Sequence, residues 1–196
     1  MTTPQRPHAP HIGQIIKSDI ANGDGIRLSV FLSGCRIHCK GCFQPQTWSF
    51  SYGHPVTDEL HASILAELAK PQYDGITILG GEPFEPENQP YLKRLVADVR
   101  AMDRHRTIWV YSGCDLEELL DDASAHRTGI TDEILDGIDV LVAGPFVQSK
   151  HDISLHYRGS SNQRVIDMNR TRALGYRTIV DYDPTSAFDV RRLSPQ

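Results

Sequence analysis

Short apolar segments alternate with longer amphipathic segments through most of this 196-residue chain. Four segments rich in β-branched residues predict core strands, at residues 26–32, 76–79, 107–111 and 139–142. Apolar residues at helical spacing predict helices at residues 57–70, 90–102, 115–120 and 131–135. Two weaker segments, residues 165–167 and 178–181, are interpreted as edge strands. Alternation of strands with helices of this length favours α/β architecture, and we expect an incomplete (β/α) barrel with a mostly parallel sheet.

The length fits a single domain with a well-buried core. Residues 1–11 carry three prolines among polar residues and are expected to be a flexible arm, residues 12–183 the domain, and residues 184–196 a loose tail. We find neither an apolar run long enough to cross a membrane nor an apolar signal-peptide core, so we expect a cytoplasmic protein without a membrane partner. The formal charge of −5, without a cluster of Lys and Arg, argues against binding to nucleic acid.

Glycine-rich polar segments follow the predicted strands directly. They are Ser33-Gly34, Gly80-Gly81-Glu82-Pro83, Ser112-Gly113-Cys114 and Ala143-Gly144-Pro145. The carboxyl ends of parallel strands meet at one edge of a sheet, where α/β folds bind ligands. The sequence therefore predicts a ligand site at this edge.

Three of the four cysteines, Cys35, Cys39 and Cys42, lie within eight residues. One loop, residues 35–42 and here called the cysteine loop, can present three thiolates to a compact inorganic core. This favours a [4Fe–4S] cluster with three irons held by the protein and the fourth left open for a substrate or cofactor. A zinc site completed by His38 or Cys114, or an unrelated set of buried or disulfide-bonded cysteines, are the alternatives.

The spacing Cys35-x3-Cys39-x2-Cys42 resembles the cluster motif of radical S-adenosylmethionine (SAM) enzymes, and Gly80-Gly81-Glu82-Pro83 resembles their GGEP motif. More narrowly, the chain is similar to the anaerobic ribonucleoside-triphosphate reductase activating family from about Ile12 to Ile166. This likeness is carried by Asn22-Gly23-x-Gly25, Ser33-Gly34-Cys35, Gly41-Cys42-Phe43, Thr47-Trp48 and Arg158-Gly159-Ser160-Ser161-Asn162-Gln163.

The resemblance implies a partial barrel of the radical SAM type and a glycyl-radical activase. SAM would chelate the open iron through its amino and carboxylate groups, and the reduced cluster would break its S–C5′ bond. The resulting 5′-deoxyadenosyl radical would take a hydrogen atom from a glycine Cα of the reductase. A flavodoxin or ferredoxin is the expected electron donor, because the chain has neither a second cluster motif nor a flavin fingerprint.

The resemblance also assigns roles to residues. Cys35, Cys39 and Cys42 would hold the cluster, and no catalytic group is expected beyond the cluster and SAM. The residues expected to contact SAM are Gly41, Phe43, Gly80, Gly81, Glu82 and Ser112. Glu82 would accept from the SAM ammonium or cap the following turn, and Phe43 would pack on the adenine or in the core. Cys114 is interpreted as a spectator thiol.

Arg158 and Asn162 either shape a groove for the partner's glycine loop or pin a turn. Three positions depart from the family pattern: Asp24 stands where relatives carry proline, Ala143 where they carry an acidic residue, and Pro145 where they often carry a basic one. The segment after Ile166 has no counterpart in the pattern.

Two other functions remain as alternatives. One is an activase of another glycyl-radical enzyme, such as pyruvate formate-lyase, although those relatives tend to be longer and usually carry histidine where this chain has Phe43. The other is a non-catalytic Fe–S or zinc module that binds a partner.

Overall fold

The computed structural model describes residues 9–185, which form one seven-stranded sheet with helices packed against it. In chain order the elements are β1 His11–Asp19, β2 Arg27–Leu32, β3 His54–Pro55, α1 Asp58–Leu68, β4 Gly75–Gly80, α2 Gln89–Met102, β5 Thr107–Tyr111, α3 Leu116–Leu120, α4 Thr131–Gly137, β6 Val140–Ala143, β7 Arg164–Asp167 and α5 Met168–Ala173. Residues 1–8 of the predicted arm and residues 186–196 of the predicted tail lie outside the described residues.

The sheet is mixed, so the expectation of a mostly parallel sheet is wrong. The strand order is β3-β1-β2-β4-β5-β6-β7, and β2, β4, β5 and β6 run parallel. β1 pairs antiparallel with both β2 and β3, and β7 pairs antiparallel with β6. A parallel pair needs a crossover of about a dozen residues or more, and the connection at residues 20–26 is too short for one. The edge strands β3 and β7 do not pair, so the sheet is open and the predicted incomplete barrel is not confirmed.

The four predicted core strands are confirmed as β2, β4, β5 and β6, and the predicted helices as α1 to α4. α1 begins where expected, because the Thr57 hydroxyl accepts a hydrogen bond from the Leu60 amide at 3.2 Å. Residues 165–167 form the predicted edge strand, whereas residues 178–181 contribute only an isolated bridge from Asp181 to Ile166. The sequence analysis missed β1, β3 and α5.

Alternate residues of the central strands face two different environments. Leu28, Ile76, Ile108 and Leu141 belong to the large core that the helices cover. On the opposite face Trp109, Val140 and Val142 form a second, smaller apolar cluster. Both faces of the central strands are therefore buried.

A buried guanidinium lies on this second face. Arg27 is fully buried and donates to Thr77 Oγ1 at 2.5 Å, to the Ile76 carbonyl at 2.6 Å and to the Thr107 carbonyl at 2.9 Å. Its guanidinium also lies over the Trp109 ring, 5.3 Å from the centroid. Arg27 thereby links three neighbouring strands at the end opposite the predicted ligand site.

The loop before β7 and the segment after it both cover the Trp109 face. Tyr157 and Tyr182 contact the Trp109 ring edge-on, with centroids 5.1 and 4.9 Å away. Both tyrosine hydroxyls donate to the Asp24 carboxylate. Asp24 therefore fastens both the loop before β7 and the C-terminal segment to the turn before β2.

At 14 residues α2 is the longest helix within residues 9–185, whereas a helix needs about 20 apolar residues to cross a bilayer. No helix in this part of the chain meets that requirement.

We expect Arg27→Met to lower the free energy of unfolding by about 3 kcal/mol, because it leaves several buried oxygen acceptors without a donor. Arg94→Met is the matched control: Arg94 is half-exposed and pairs with exposed Asp58, so its loss should cost less than about 1 kcal/mol. Urea denaturation measures both values. Equal, small losses would show that the buried guanidinium does not stabilise the sheet.

Candidate metal centre

The carboxyl ends of β2, β4, β5 and β6 surround a cavity of about 550 Å³. Cys35, Cys39 and Cys42 all line this cavity. Five of the residues expected to contact SAM line it as well: Phe43, Gly80, Gly81, Glu82 and Ser112. Gly41 lies in the cysteine loop but is not among the lining residues. The structure thus brings the predicted strand-end site and the cysteine loop together.

Backbone hydrogen bonds hold the cysteine loop in place. The Gly34 amide donates to the Thr47 carbonyl at 2.7 Å, and the Cys35 amide donates to the Trp48 carbonyl at 3.2 Å. Within the loop the Cys42 amide donates to the Cys39 carbonyl at 3.1 Å. The short 3₁₀ helix at Pro45–Trp48, which the sequence analysis did not predict, therefore supports the start of the loop.

The three thiols of the loop are free, and their surroundings suit a metal cluster. Burial raises the pKa of Cys35 to about 11, partly offset by backbone amides of Ile37 and His38 that donate to its sulfur. Burial likewise raises the pKa of Cys39, against an opposing hydrogen bond from the Phe146 amide. Cys35 and Cys39 are therefore protonated at neutral pH until a metal displaces the protons. Amide groups directed at sulfur are also what tunes protein-bound iron–sulfur clusters.

The cavity also contains a polar group without a partner. Tyr111, at the end of β5, lines the cavity, and its buried hydroxyl has no hydrogen-bond partner among the described residues. Burial raises its pKa, so the hydroxyl is a donor at neutral pH. Three cysteine thiols and an unsatisfied donor fit an iron–sulfur cluster together with a polar ligand. A strand-end tyrosine next to Ser112 was a signal that the sequence analysis did not use.

Neither candidate for a fourth protein ligand lines the cavity. The His38 ring stacks on Trp48, with centroids 4.5 Å apart. Cys114 is fully buried in the core on the helix side of the sheet. Neither group therefore shares the cavity with the three thiols of the loop.

Glu82 links the end of β4 to the end of β5. Its Oε1 accepts from the Phe84 amide and the Ser112 hydroxyl, both at 2.9 Å, and its Oε2 accepts from the Gly113 amide at 2.7 Å. Burial raises its pKa to about 7, and these three hydrogen bonds act in the opposite direction. The contact with Phe84 is the turn-capping role that the sequence offered as one alternative for Glu82.

Gly80 and Gly81 allow β4 to approach the cysteine loop closely. A Cβ on Gly81 would lie 2.5 Å from the Gly34 carbonyl oxygen, and a Cβ on Gly80 would lie 2.6 Å from the Leu32 carbonyl oxygen. Gly80 also has a φ of +110°, which side-chain-bearing residues rarely adopt. These two glycines are therefore required by the packing of the strand ends, a reason that the sequence analysis did not identify.

The loop at residues 158–163 is fastened by its own side chains. Gln163 Oε1 accepts from the Gly159 amide at 2.9 Å, and Gln163 Nε2 donates to the Gly144 carbonyl at 2.9 Å. Arg158 donates to the Gln163 carbonyl, and Asn162 donates to the Pro145 carbonyl at 2.8 Å. Arg158 and Asn162 thus make the turn-pinning contacts that the sequence analysis offered as one alternative.

Aromatic rings form one rim of the cavity. Phe43 is 69% exposed, and its ring centroid lies 5.3 Å from Phe146 and 5.8 Å from His151. Phe43 is therefore available to a ligand or a partner and is not part of the core.

Comparisons with known sequences agree with this geometry. A family model described as a 4Fe-4S single cluster domain matches residues 21–166. The anaerobic ribonucleoside-triphosphate reductase-activating protein of Escherichia coli K12 is 40% identical over 149 residues, which cover 75% of this chain and 92% of that protein. The proteins of the same name from Vibrio cholerae and Enterobacteria phage T4 are 39% and 30% identical, over 74% and 78% of this chain and 90% of each relative.

We expect Cys39→Ala to abolish binding of iron and sulfide, because it removes one of three thiols that share the cavity. Cys114→Ala should leave iron and sulfide content near normal, since Cys114 does not line the cavity. Iron and sulfide analysis after anaerobic reconstitution measures both. Loss of the cluster from the Cys114 variant would contradict the assignment of the three loop cysteines as the protein ligands.

We expect Gly81→Ala to displace the cysteine loop, because its Cβ would collide with backbone and not with a flexible side chain. Iron retained after reconstitution should fall several-fold. Gly129→Ala is the matched control, since nothing lies within 4 Å of a Cβ at that position. Equal iron contents in the two variants would show that the close approach is unimportant for the site.

Proposed function

The chain belongs to the family of anaerobic ribonucleoside-triphosphate reductase-activating proteins, and we propose that it cleaves SAM reductively at a [4Fe–4S] cluster and generates a glycyl radical on such a reductase. The observation that carries the proposal is the shared cavity. Three thiols from one loop line it together with the glycine-rich ends of the parallel strands.

In this proposal Cys35, Cys39 and Cys42 hold three irons, and the fourth iron is left for SAM. The bound cluster supplies the electron that converts SAM to methionine and the 5′-deoxyadenosyl radical, which then takes a hydrogen atom from a reductase glycine. The composition of the cavity wall supports three protein ligands, because neither His38 nor Cys114 lines the cavity.

The proposed SAM contacts divide between two sides of the cavity. On the strand side, backbone carbonyls of Gly80 and Gly81 accept from the SAM ammonium, while Glu82 fixes the turn that presents them. Ser112 hydrogen-bonds both Glu82 and the Cys114 amide and so holds the end of β5 beside this turn. The Tyr111 hydroxyl is available to a polar group of the ligand, since no described residue satisfies it.

On the loop side, Phe43 and Gly41 flank the last cysteine and are proposed to lie near the adenine. Phe43 is exposed at the rim, so its ring can pack against a base that enters the cavity. The 158–163 loop borders the same opening through Arg158 and Gly159. We propose that the partner's glycine segment enters at this rim.

The same reaction implies a fold, an electron donor and a cellular location for the protein. The proposed domain, residues 12–183, is an incomplete radical SAM barrel, and the open sheet with its ligand cavity at the carboxyl strand ends supports this. A flavodoxin or ferredoxin is proposed as electron donor, and the cytoplasm as the location. Four free cysteines among the described residues agree with a reducing compartment.

We expect the anaerobically reconstituted protein to form 5′-deoxyadenosine from SAM and dithionite, and Cys39→Ala to form none. Chromatography of the products measures this. With the cognate reductase present, electron paramagnetic resonance should detect a glycyl radical on the reductase.

Pyruvate formate-lyase serves as the control partner and should remain without a radical. Absence of 5′-deoxyadenosine would refute the enzymatic proposal. A radical on pyruvate formate-lyase alone would replace the proposed partner with that enzyme.

A further inference from the structure

A second group of metal-ligand side chains lies behind the cavity, on the helix side of β5. The Cys114 sulfur, a Glu118 carboxylate oxygen and a ring nitrogen of His126 all lie within 4.8 Å of one another. None of the three residues lines the cavity. We propose that this group, here called the rear site, binds one divalent metal ion of the zinc class independently of the iron–sulfur cluster.

Local structure brings these three residues together. Cys114 precedes α3 and Glu118 lies within it, and the Glu118 carboxylate returns to within hydrogen-bond reach of the Cys114 thiol. His126 comes from the loop after α3, which is anchored at two points: the His126 amide donates to Ser124 Oγ at 3.1 Å, and Gln89 Nε2 donates to the His126 carbonyl at 2.7 Å. Gln89 is itself fully buried. The backbone of the rear site is therefore held in place without a metal.

The donor atoms are those that zinc prefers. Zn²⁺ binds thiolate, imidazole and carboxylate at about 2.0–2.3 Å, which places ligand atoms about 3.5 Å apart in a tetrahedron. Atoms already within 4.8 Å need to move by only about 1 Å to reach that arrangement. Glu118 and His126 are partly exposed, so rotation of their side chains supplies this movement.

A second carboxylate lies near the other ring nitrogen, at a distance longer than a hydrogen bond. His126 Nδ1 lies 3.1 Å from Glu118 Oε1, and Nε2 lies 3.8 Å from Glu85 Oε1. Glu85 is fixed in turn by the Arg36 amide at 2.6 Å and by the Arg36 guanidinium. A carboxylate behind a ligating histidine is the usual arrangement in zinc sites, because it fixes the tautomer and the ring orientation. Nδ1 is then the nitrogen directed at the metal.

Charge favours a cation at the rear site. Three carboxylates, those of Glu82, Glu85 and Glu118, lie in this region. Metal binding would replace the thiol proton, which is released to solvent as the metal–sulfur bond forms. Two anionic ligands and one neutral ligand leave the bound ion with little net charge, and a water molecule completes the coordination.

The rear site is connected to the cysteine loop through few contacts. Glu85 accepts from Arg36, the residue directly after Cys35, and faces His126 on its other side. A bound ion would therefore clamp the loop at residues 121–130 to the back of the cluster site.

The test uses the protein with its cluster already in place, so that added zinc cannot occupy the cysteine loop. After equilibration with Zn²⁺ and desalting, elemental analysis should find one zinc per chain in addition to cluster iron. Substitution with Co²⁺ should add a thiolate-to-cobalt charge-transfer band. Cys114→Ser should lose both signals while keeping its iron. Failure of the unaltered protein to bind zinc beyond its cluster would overturn the proposal.

Two further variants test the rear site without changing the buried Cys114, so a folding defect caused by substitution at Cys114 does not affect their result. Glu118→Gln alters a partly exposed side chain and should weaken zinc binding by tenfold or more, as should His126→Ala. Glu117→Gln is the matched control, because Glu117 is an exposed neighbour on α3 outside the rear site, and it should bind like the unaltered protein. Equal zinc affinity in Glu117→Gln and Glu118→Gln would also overturn the assignment.

Discussion

Direct backbone contact between the end of β4 and the segment that leads from β2 into the cysteine loop is the constraint on which the site depends. The Gly81 amide donates to the Leu32 carbonyl and the Glu82 amide donates to the Gly34 carbonyl, both at 2.8 Å. These bonds extend the pairing of β2 and β4 beyond the strand ends, so the loop starts in a fixed position on the sheet. Side chains at Gly80 or Gly81 would block this approach, which makes the glycines structural requirements of the metal centre.

Two buried carboxylates connect this backbone contact to neighbouring parts of the structure. Glu82 connects the end of β4 to the start of the turn after β5, and Glu85 connects the cysteine loop to His126. Both carboxylates are almost fully buried and rely on backbone amides and charged neighbours as partners. The cavity and the rear site are thus two sides of one hydrogen-bonded assembly, in which Ser112 and the Cys114 amide are the shared contact.

Segments with a regular hydrophobic pattern were predicted well, and segments whose structure depends on pairing with residues far away in the chain were not. The helix from Thr57 and the strand at residues 107–111 were found because local patterning and capping suffice to specify them. β1 was missed because its exposed and buried positions alternate poorly, so its pairing with β2 specifies it. The mostly parallel sheet was wrong because the short return at residues 20–26 and the long irregular connection at residues 144–163 reverse the chain direction at both sides.

The sequence by itself determined the cysteine spacing, the glycine-rich strand ends and hence the place of the site on the sheet, because the residues that end a strand and the ligand chemistry of thiols can be read from short segments. Only the tertiary structure decided which groups share the cavity. It separated Cys114 from the loop cysteines and placed His126 beside Cys114. It also showed that hydrogen bonds of Arg158, Asn162 and Gln163 hold the loop at residues 158–163 in place. Such contacts join residues far apart in the chain, and their geometry follows from packing that no local pattern encodes.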